Sequence, residues 1–342
     1  MRVTIKDIAR ETGLSPTAVS LVLNHRPNKL SAESRELIVE TAKRLHYVPN
    51  QLAVGLVTRQ THTLGLIIPN IANQYYATLA LGIDEEARKH GWNILFINTN
   101  DRAQNDLDSL RLLSSRGVDA LILAVASDVD AQTRGEYRSF IQKSSVPVVL
   151  VNHEEPSFRC STVKLNNRAG AYEAVTHLLE LGHRDIAYIT GDEDLQHTHT
   201  ERIQGAMQAC ADMGVPFCKK YVRSGRYTTE GGAQAAQELL SLPISALFCF
   251  NDMMAFGAFQ RIRQMGLKVP EDISLVGFDD VPFAALLDVP LTTVKQPAYE
   301  IGRETVRVAL GEIEDRLRSK QQIQFEPELV LRESTAPFVP KP

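Results

Sequence analysis

Several polar and aromatic residues stand directly after apolar runs, where they could hold a small molecule. Tyr75 and Tyr76 follow LGLIIP, Arg202 opens a helical stretch after DIAYITG, Asn251 and Asp252 follow SALFCF, and Asp279 follows ISLVGF. Open parallel sheets bind ligands at the carboxyl ends of their strands. Arg and Asp can each engage two hydroxyls or ring atoms, and a Tyr ring can cover the face of a sugar or a base. Tyr227 is a further candidate wall. The plainer readings are that Asp252 caps the helix beginning MMAFGAF, that the tyrosines are core and that Asp280 is structural. Covalent and metal chemistry have no signature. There is no G-x-x-x-x-G-K-[ST], G-x-G-x-x-G, G-x-S-x-G or H-E-x-x-H. His197 and His199 form H-x-H without a third ligand and read as a solvated loop, and His177 and His183 read as structural. No cofactor, metal or enzymatic turnover is expected.

A second chemistry sits at the N-terminus. Residues 1–60 hold nine Lys/Arg against five Asp/Glu, whereas the chain as a whole has 37 against 41. A basic head on an acidic body implies that only the head meets a polyanion. The head reads as three short helices. Thr4 caps the first, with Asp7 three residues on and Ile5, Ile8, Ala9 and Thr12 along one face, and Gly13 ends it. Ser15 caps the second, with Pro16 at its first position. Ser31 caps the third, which places Ile38, Ala42 and Leu45 on one side. In PTAVSLVLN, Ala18, Val19, Val22 and Leu23 face inward, and Thr17, Ser20, Leu21 and Asn24 face outward. The second helix of a helix-turn-helix enters the major groove with its N-terminal residues on base edges, so Pro16, Thr17 and Leu21 would read sequence.

These pieces need a scaffold. At 342 residues the chain has room for two or three units, with ordinary apolar (44%) and charged (23%) content. From His62 strand and helix alternate: LGLIIP, WNILFINT, DALILAV, VPVVLVN, DIAYITG, SALFCFN and ISLVGFDD are continuous apolar runs, the mark of parallel sheets covered on both faces. The expected organisation is an all-α head over 1–47, a hinge over 48–61 and an α/β body of two parallel-sheet lobes over 62–342. The first lobe should take 62–160 and 292–325, and the second 161–291 and 326–342. The four cysteines form no C-x-x-C pair and read as reduced thiols. No signal peptide or membrane span is expected, so the localisation is cytoplasmic.

VTIKDIARETGLSPTAVSLVLN, LSAESRELI and LHYVPNQLAVGL resemble the head and hinge of the lac repressor / purine repressor family of bacterial transcriptional regulators. The likeness continues through NQYYATLALGIDEEA, GVDALIL, LGHRDIAYITG, CFNDMMAFGA, VGFDD and PLTTVKQP. It implies a homodimer on a pseudo-palindromic double-stranded DNA operator, with a body like the periplasmic sugar-binding proteins. It also implies that Thr4, Ser15, Ser20 and Asn24 hold phosphates. Asn50, Ala53 and Leu56 match a hinge helix over about 49–57, with Leu56 as a minor-groove wedge. Arg202, Asp252 and Asp279 match ligand-contacting positions, and Tyr75 and Tyr76 match the aromatic pair of the purine branch. Leu21 departs from the family: many relatives carry a basic residue there, which could pair with guanine, whereas Leu21 cannot hydrogen-bond but could contact a thymine methyl.

Taken alone, PNQLAVGL is too short for a stable helix, and Gly55 weakens it by up to about 1 kcal/mol. The resemblance thus implies an effector-controlled regulator, a repressor of a sugar or other carbon-source operon, acting through that hinge. The competing readings are a purine- or nucleoside-responsive repressor, a phosphoprotein-controlled catabolite regulator, and a sugar-binding protein without DNA function.

Overall fold

The computed structural model describes residues 3–24, 27–47, 60–153, 155, 157–191, 197–315 and 319–340, the side chains of 197–200 excepted. Residues 1–62 and 63–342 are separate compact units. The expected hinge helix, with Asn50, Ala53 and Leu56, lies outside the described residues.

The head has helices Ile5–Thr12, Pro16–Leu23 and Ala32–Arg44. The Asp7 carboxylate accepts from the Thr4 N–H at 2.9 Å and from its hydroxyl at 2.7 Å, closing the first turn. Gly13 reverses the chain at φ 67°, a left-handed value that side chains resist. Ser15 Oγ accepts from Ala18 N–H at 3.1 Å, and Ser31 Oγ from Ser34 N–H at 3.2 Å. Ile8, Ala9, Val19, Val22, Ile38 and Ala42 form the core, with Leu23 and Leu45 packed at its edge. Ala18 is only half-buried and stands outside that core, because Val19 and Val22 already fill the space between the helices.

The body holds two six-stranded sheets. The first contains β1 (Thr63–Ile68), β2 (Asn93–Asn98), β3 (Ala120–Ala124), β4 (Val148–Val151), β5 (Ser161–Leu165) and β11 (Gln322–Phe325), in the order β11-β5-β4-β3-β1-β2. All its pairings are parallel. The second contains β6 (Ile186–Thr190), β7 (Val222–Ser224), β8 (Ala246–Cys249), β9 (Ser274–Asp279), β10 (Thr292–Lys295) and β12 (Glu328–Val330), in the order β12-β10-β9-β8-β6-β7. Only β12 runs antiparallel. Alternate side chains of β1 serve two cores: Leu64, Leu66 and Ile68 pack toward helices Gln74–Lys89 and Ala298–Glu314, and Ile67 packs toward Ala103–Ser115 and Ala131–Lys143. The continuous apolar runs reflect this double coverage.

Two strands correct the expected lobe limits. Ser161–Leu165, assigned from sequence to the second lobe, pairs with β4 in the first sheet. Thr292–Lys295, assigned to the first, pairs with β9 in the second. Cys160 and Leu291 each stand directly before a strand, so the chain crosses only after that strand has ended, near Asn166 and at Gln296–Pro297. A third passage separates β11 from β12. Among the described residues, no helix is long and apolar enough to cross a membrane.

Candidate effector cavity and nucleic-acid interface

The carboxyl ends of both sheets line one cavity of about 270 Å³. Tyr75, Tyr76, Asp101 and Asn152 reach it from the first lobe, Arg202, Tyr227, Asn251 and Asp279 from the second, and Gln296 from a crossing.

Each wall has a local cause. Asn73 caps helix Gln74–Lys89 by accepting from Tyr75 N–H at 3.0 Å, which seats both tyrosines on the first turn. Their rings meet edge to face, with centroids 5.1 Å apart. Arg202 is only 5% exposed. Its Nε donates to Asn167 Oδ1 at 2.9 Å, its Nη1 donates to the Phe250 carbonyl, and its guanidinium lies 3.7 Å from the centre of the Phe278 ring. Gly191 leaves room for the Tyr227 ring as placed: a Cβ there would stand 2.3 Å from it.

The polar side chains form a chain across the lobes. Asn152 Nδ2 donates to the Tyr75 hydroxyl and, at 2.9 Å, to Gln296 Oε1. Gln296 Nε2 donates to Asp279 Oδ1 at 2.5 Å. Asn152 Oδ1 accepts from Leu165 N–H at 2.9 Å, at the end of β5. Burial pushes the Asp279 carboxyl upward, while the Arg202 charge and the Gln296 amide oppose the rise. Burial likewise raises the Tyr75 and Tyr76 phenols, so both stay neutral.

Backbone strain collects here. Of the non-glycine residues with positive φ, Asn100, Asp101, Asn152, Arg226, Tyr227 and Asp279 all line the cavity. Side chains resist this region, so such residues persist only where surrounding structure holds them, commonly at ligand sites.

Six of the seven residues singled out from sequence stand together: Tyr75, Tyr76, Arg202, Tyr227, Asn251 and Asp279. Asp252 does not line the cavity. It is fully buried behind the strand ends, where Val281 N–H reaches its Oδ2 at 2.9 Å and the Thr293 hydroxyl its Oδ1 at 2.6 Å. The capping role falls to Asn251, whose Oδ1 accepts from Met254 N–H at 2.8 Å, and this turns the next side chain toward β9 and β10. Burial and then the Asp279 charge drive the Asp252 carboxyl upward. Asn152, Gln296 and Asp101 were missed. Asn152 ends the run VPVVLVN and Asp101 stands just beyond WNILFINT, so the strand-end rule covered them too. Gln296 follows β10, which was not read as a strand. His183 is structural: its ring nitrogens meet Ser245 Oγ at 2.9 Å and Ser274 Oγ at 3.0 Å. Among the described residues no group of His, Cys, Asp and Glu is arranged to hold a metal ion.

On the head, Pro16 and Thr17 are exposed, and Ser20, Leu21 and Asn24 are half-buried along the outer side of the second helix. Asn24 Nδ2 donates to Ser20 O at 2.8 Å and to Ser20 Oγ at 3.2 Å.

Residues 4–50 match the model of the lacI family of bacterial regulatory proteins, and residues 175–335 that of the periplasmic binding protein-like domain. The chain is 33% identical over 339 residues to the HTH-type transcriptional regulator DegA of Bacillus subtilis (strain 168), covering 99% of each chain. A solved complex of the transcriptional regulator CelR with cellobiose is similar at 28% identity and TM-score 0.73, covering 97% of this chain and 100% of that one. A LacI family regulator from Enterococcus faecium, solved with bound ribose, is 27% identical with TM-score 0.73, covering 81% of this chain and 100% of that one. With a helix-turn-helix head, a two-lobed body and a relative matched from end to end, this chain belongs to the lacI family and is a DNA-binding transcriptional regulator.

Proposed function

We propose that the protein binds a pseudo-palindromic operator as a homodimer and that a small polyhydroxylated molecule, a sugar or sugar derivative, held between the lobes controls that binding. The observation that carries this reading is the single cavity into which Arg202, Asp279 and Asn251 from one lobe and Tyr75, Tyr76 and Asn152 from the other converge. Such a molecule bridges the lobes and favours whichever lobe separation fits it best. Solved relatives that hold ribose and cellobiose support the sugar class. The Tyr75–Tyr76 pair favours a second reading, a purine or nucleoside stacked on the rings.

Within this reading, Thr4, Ser15, Ser20 and Asn24 hold phosphates, and Pro16, Thr17 and Leu21 read bases. Asn50, Ala53 and Leu56 form a hinge helix that folds only on DNA. Breaking the Ser20–Asn24 hydrogen bond frees both side chains for phosphate oxygens. Dimerisation through the body is supported by the edge of the first sheet: β2 exposes Leu95 and Phe96 at 40% and 43%, beside Leu81 at 52% and Ile71 at 45%. A free sheet edge with neighbouring apolar side chains is a surface that proteins normally cover. The protein turns nothing over and works where its operator is, in the cytoplasm.

The test is a thermal-shift screen of the full chain with D-ribose, cellobiose, sugar phosphates and purines. A ligand at 100 times its Kd adds about 2.7 kcal/mol of stability. A sugar that stabilises the wild type but not Arg202→Ala supports the reading. Stabilisation by purines alone replaces it with the second, and no response from any class sinks both.

A further inference from the structure

The segment that carries the chain from the first lobe to the second grips the Arg202 helix at two points. Lys164 lies on β5, a strand otherwise buried. A lysine within a covered parallel sheet is uncommon unless paired. Its Nζ stands 3.3 Å from Glu201 Oε1, with the two side chains only 14% and 16% exposed. Glu201 belongs to the second lobe, on helix His197–Asp212. Three residues beyond Lys164, Asn167 accepts from Arg202 Nε at 2.9 Å. Neighbouring residues 201 and 202 are thus held by residues on either side of the crossing at Asn166. The other supports of this helix travel with the second lobe. They include Asn167, the Phe250 carbonyl and the Phe278 ring, and the close seat of Gly205, where a Cβ would stand 2.1 Å from the Arg168 carbonyl. Lys164 alone among these groups sits in the first sheet. When the lobes turn about their crossings, the Lys164–Glu201 contact is the one among these supports of the helix that must stretch.

We propose that Lys164 is a positioning residue for Arg202: its ion pair with Glu201 couples the separation of the lobes to the placement of the guanidinium in the cavity. The contact is largely shielded from solvent, so salt screens it less than a surface pair. Reversing one charge sets two like charges in a largely buried contact, which favours lobe opening. The inference rests on the effector reading only for the claim that Arg202 meets the effector.

The experiment uses the full chain with Cys218→Ser and spin labels at Gln104→Cys and Gln234→Cys, exposed positions in the first and second lobes. The interlobe distance distribution is recorded with no small molecule present. Lys164→Glu and Glu201→Lys each set like charges against one another and should shift the distribution to longer distance. The double variant Lys164→Glu/Glu201→Lys should return it to the wild-type position. Arg202 Nε–H, assigned in a nitrogen-15 spectrum by its loss in Arg202→Lys, should move in each single variant and return in the double. If a single variant fails to fold, a folded double variant with wild-type distances still establishes the pair. Unshifted single variants, a double variant displaced as far as either single, or an Arg202 signal that stays in place while the lobes separate would each overturn the proposal. Since no ligand enters, an empty effector screen leaves this result standing.

Discussion

Leu21 and Asp106 show two ways in which one side chain carries information. Leu21 sits half-buried on the outer side of the second head helix and has no hydrogen-bonding group, so any base it reads must be read by shape. Replacing thymine by uracil at the contacted operator position should weaken wild-type binding in a gel shift and leave Leu21→Ala unaffected; equal losses would show that Leu21 touches no methyl. Asp106 is fully buried in the first lobe, where Tyr137 Oη at 2.7 Å and Ala126 N–H at 2.8 Å both reach its Oδ2. Burial, the largest influence, lifts its carboxyl from 3.8 to about 6 against those hydrogen bonds. A carboxyl raised on folding stabilises fully below its unfolded value, and that contribution is lost as pH climbs through about 6. Asp106→Asn keeps an acceptor for both donors and removes the titration. Its melting temperature relative to wild type should therefore rise between pH 4.5 and pH 7.5 by about 2 °C or more. A difference that stays flat with pH would show that Asp106 does not titrate in this window.

Among the elements, the hinge and the strand ends divide the work. PNQLAVGL is too short to hold a helix by its own hydrogen bonds, so under the proposed function its folding would be part of the free energy of DNA binding. Leu56→Ala removes the proposed wedge and should abolish operator bending, seen as a lost mobility difference between circularly permuted fragments, while calorimetry on the body's ligand reads unchanged affinity. Retained bending would remove Leu56 from the interface. The strand-end amides act within the body. Asn152 gives one amide proton to Tyr75 within its own lobe and the other to Gln296 at a crossing, and Gln296 passes the connection on to Asp279 in the second lobe. Asn152→Asp replaces the donor by an acceptor facing the Gln296 carbonyl. It should weaken ligand binding about tenfold, the equivalent of about 1.4 kcal/mol, through one lost buried hydrogen bond. An unchanged Kd would show that the amide chain does not support the site.

The molecule as a whole joins a basic head to an acidic body. Deleting residues 1–60 should abolish operator binding and leave the thermal response to ligand intact, and the affinity of the intact protein should fall steeply between about 50 and 200 mM salt as phosphates are neutralised. DNA binding by the isolated body would refute the division of labour. Leu81 is 52% exposed on the surface beside β2. Leu81→Asp should turn a sedimenting dimer into a monomer at micromolar concentration and weaken operator binding with it. If it sediments like wild type, the dimer uses another face. Arg202→Ala should lose ligand affinity. With an inducer it should hold the operator under all conditions, and with a corepressor it should hold it weakly under all conditions.

Local physics made much of this legible in the linear sequence. Caps at Thr4, Ser15 and Ser31 and the turn at Gly13 depend on residues within three or four positions, so the head helices could be read directly. The seven long apolar runs did the same for the core strands, because a strand covered on both faces must be apolar throughout. The likeness to a known family added the regulator class, and with it the expectation of a hinge and an operator. What the sequence left undecided depends on distant partners. Short strands such as Val222–Ser224 and Thr292–Lys295 take their identity from the ladder they join. Asp252 and Asp279 both follow apolar runs, yet one faces the cavity and the other faces away. That choice was made by the Asn251 cap and by the place of Thr293 on a neighbouring strand. The lobe crossings, too, were settled by strand pairing, since the residues around Cys160 and Leu291 do not say which sheet the next strand will enter.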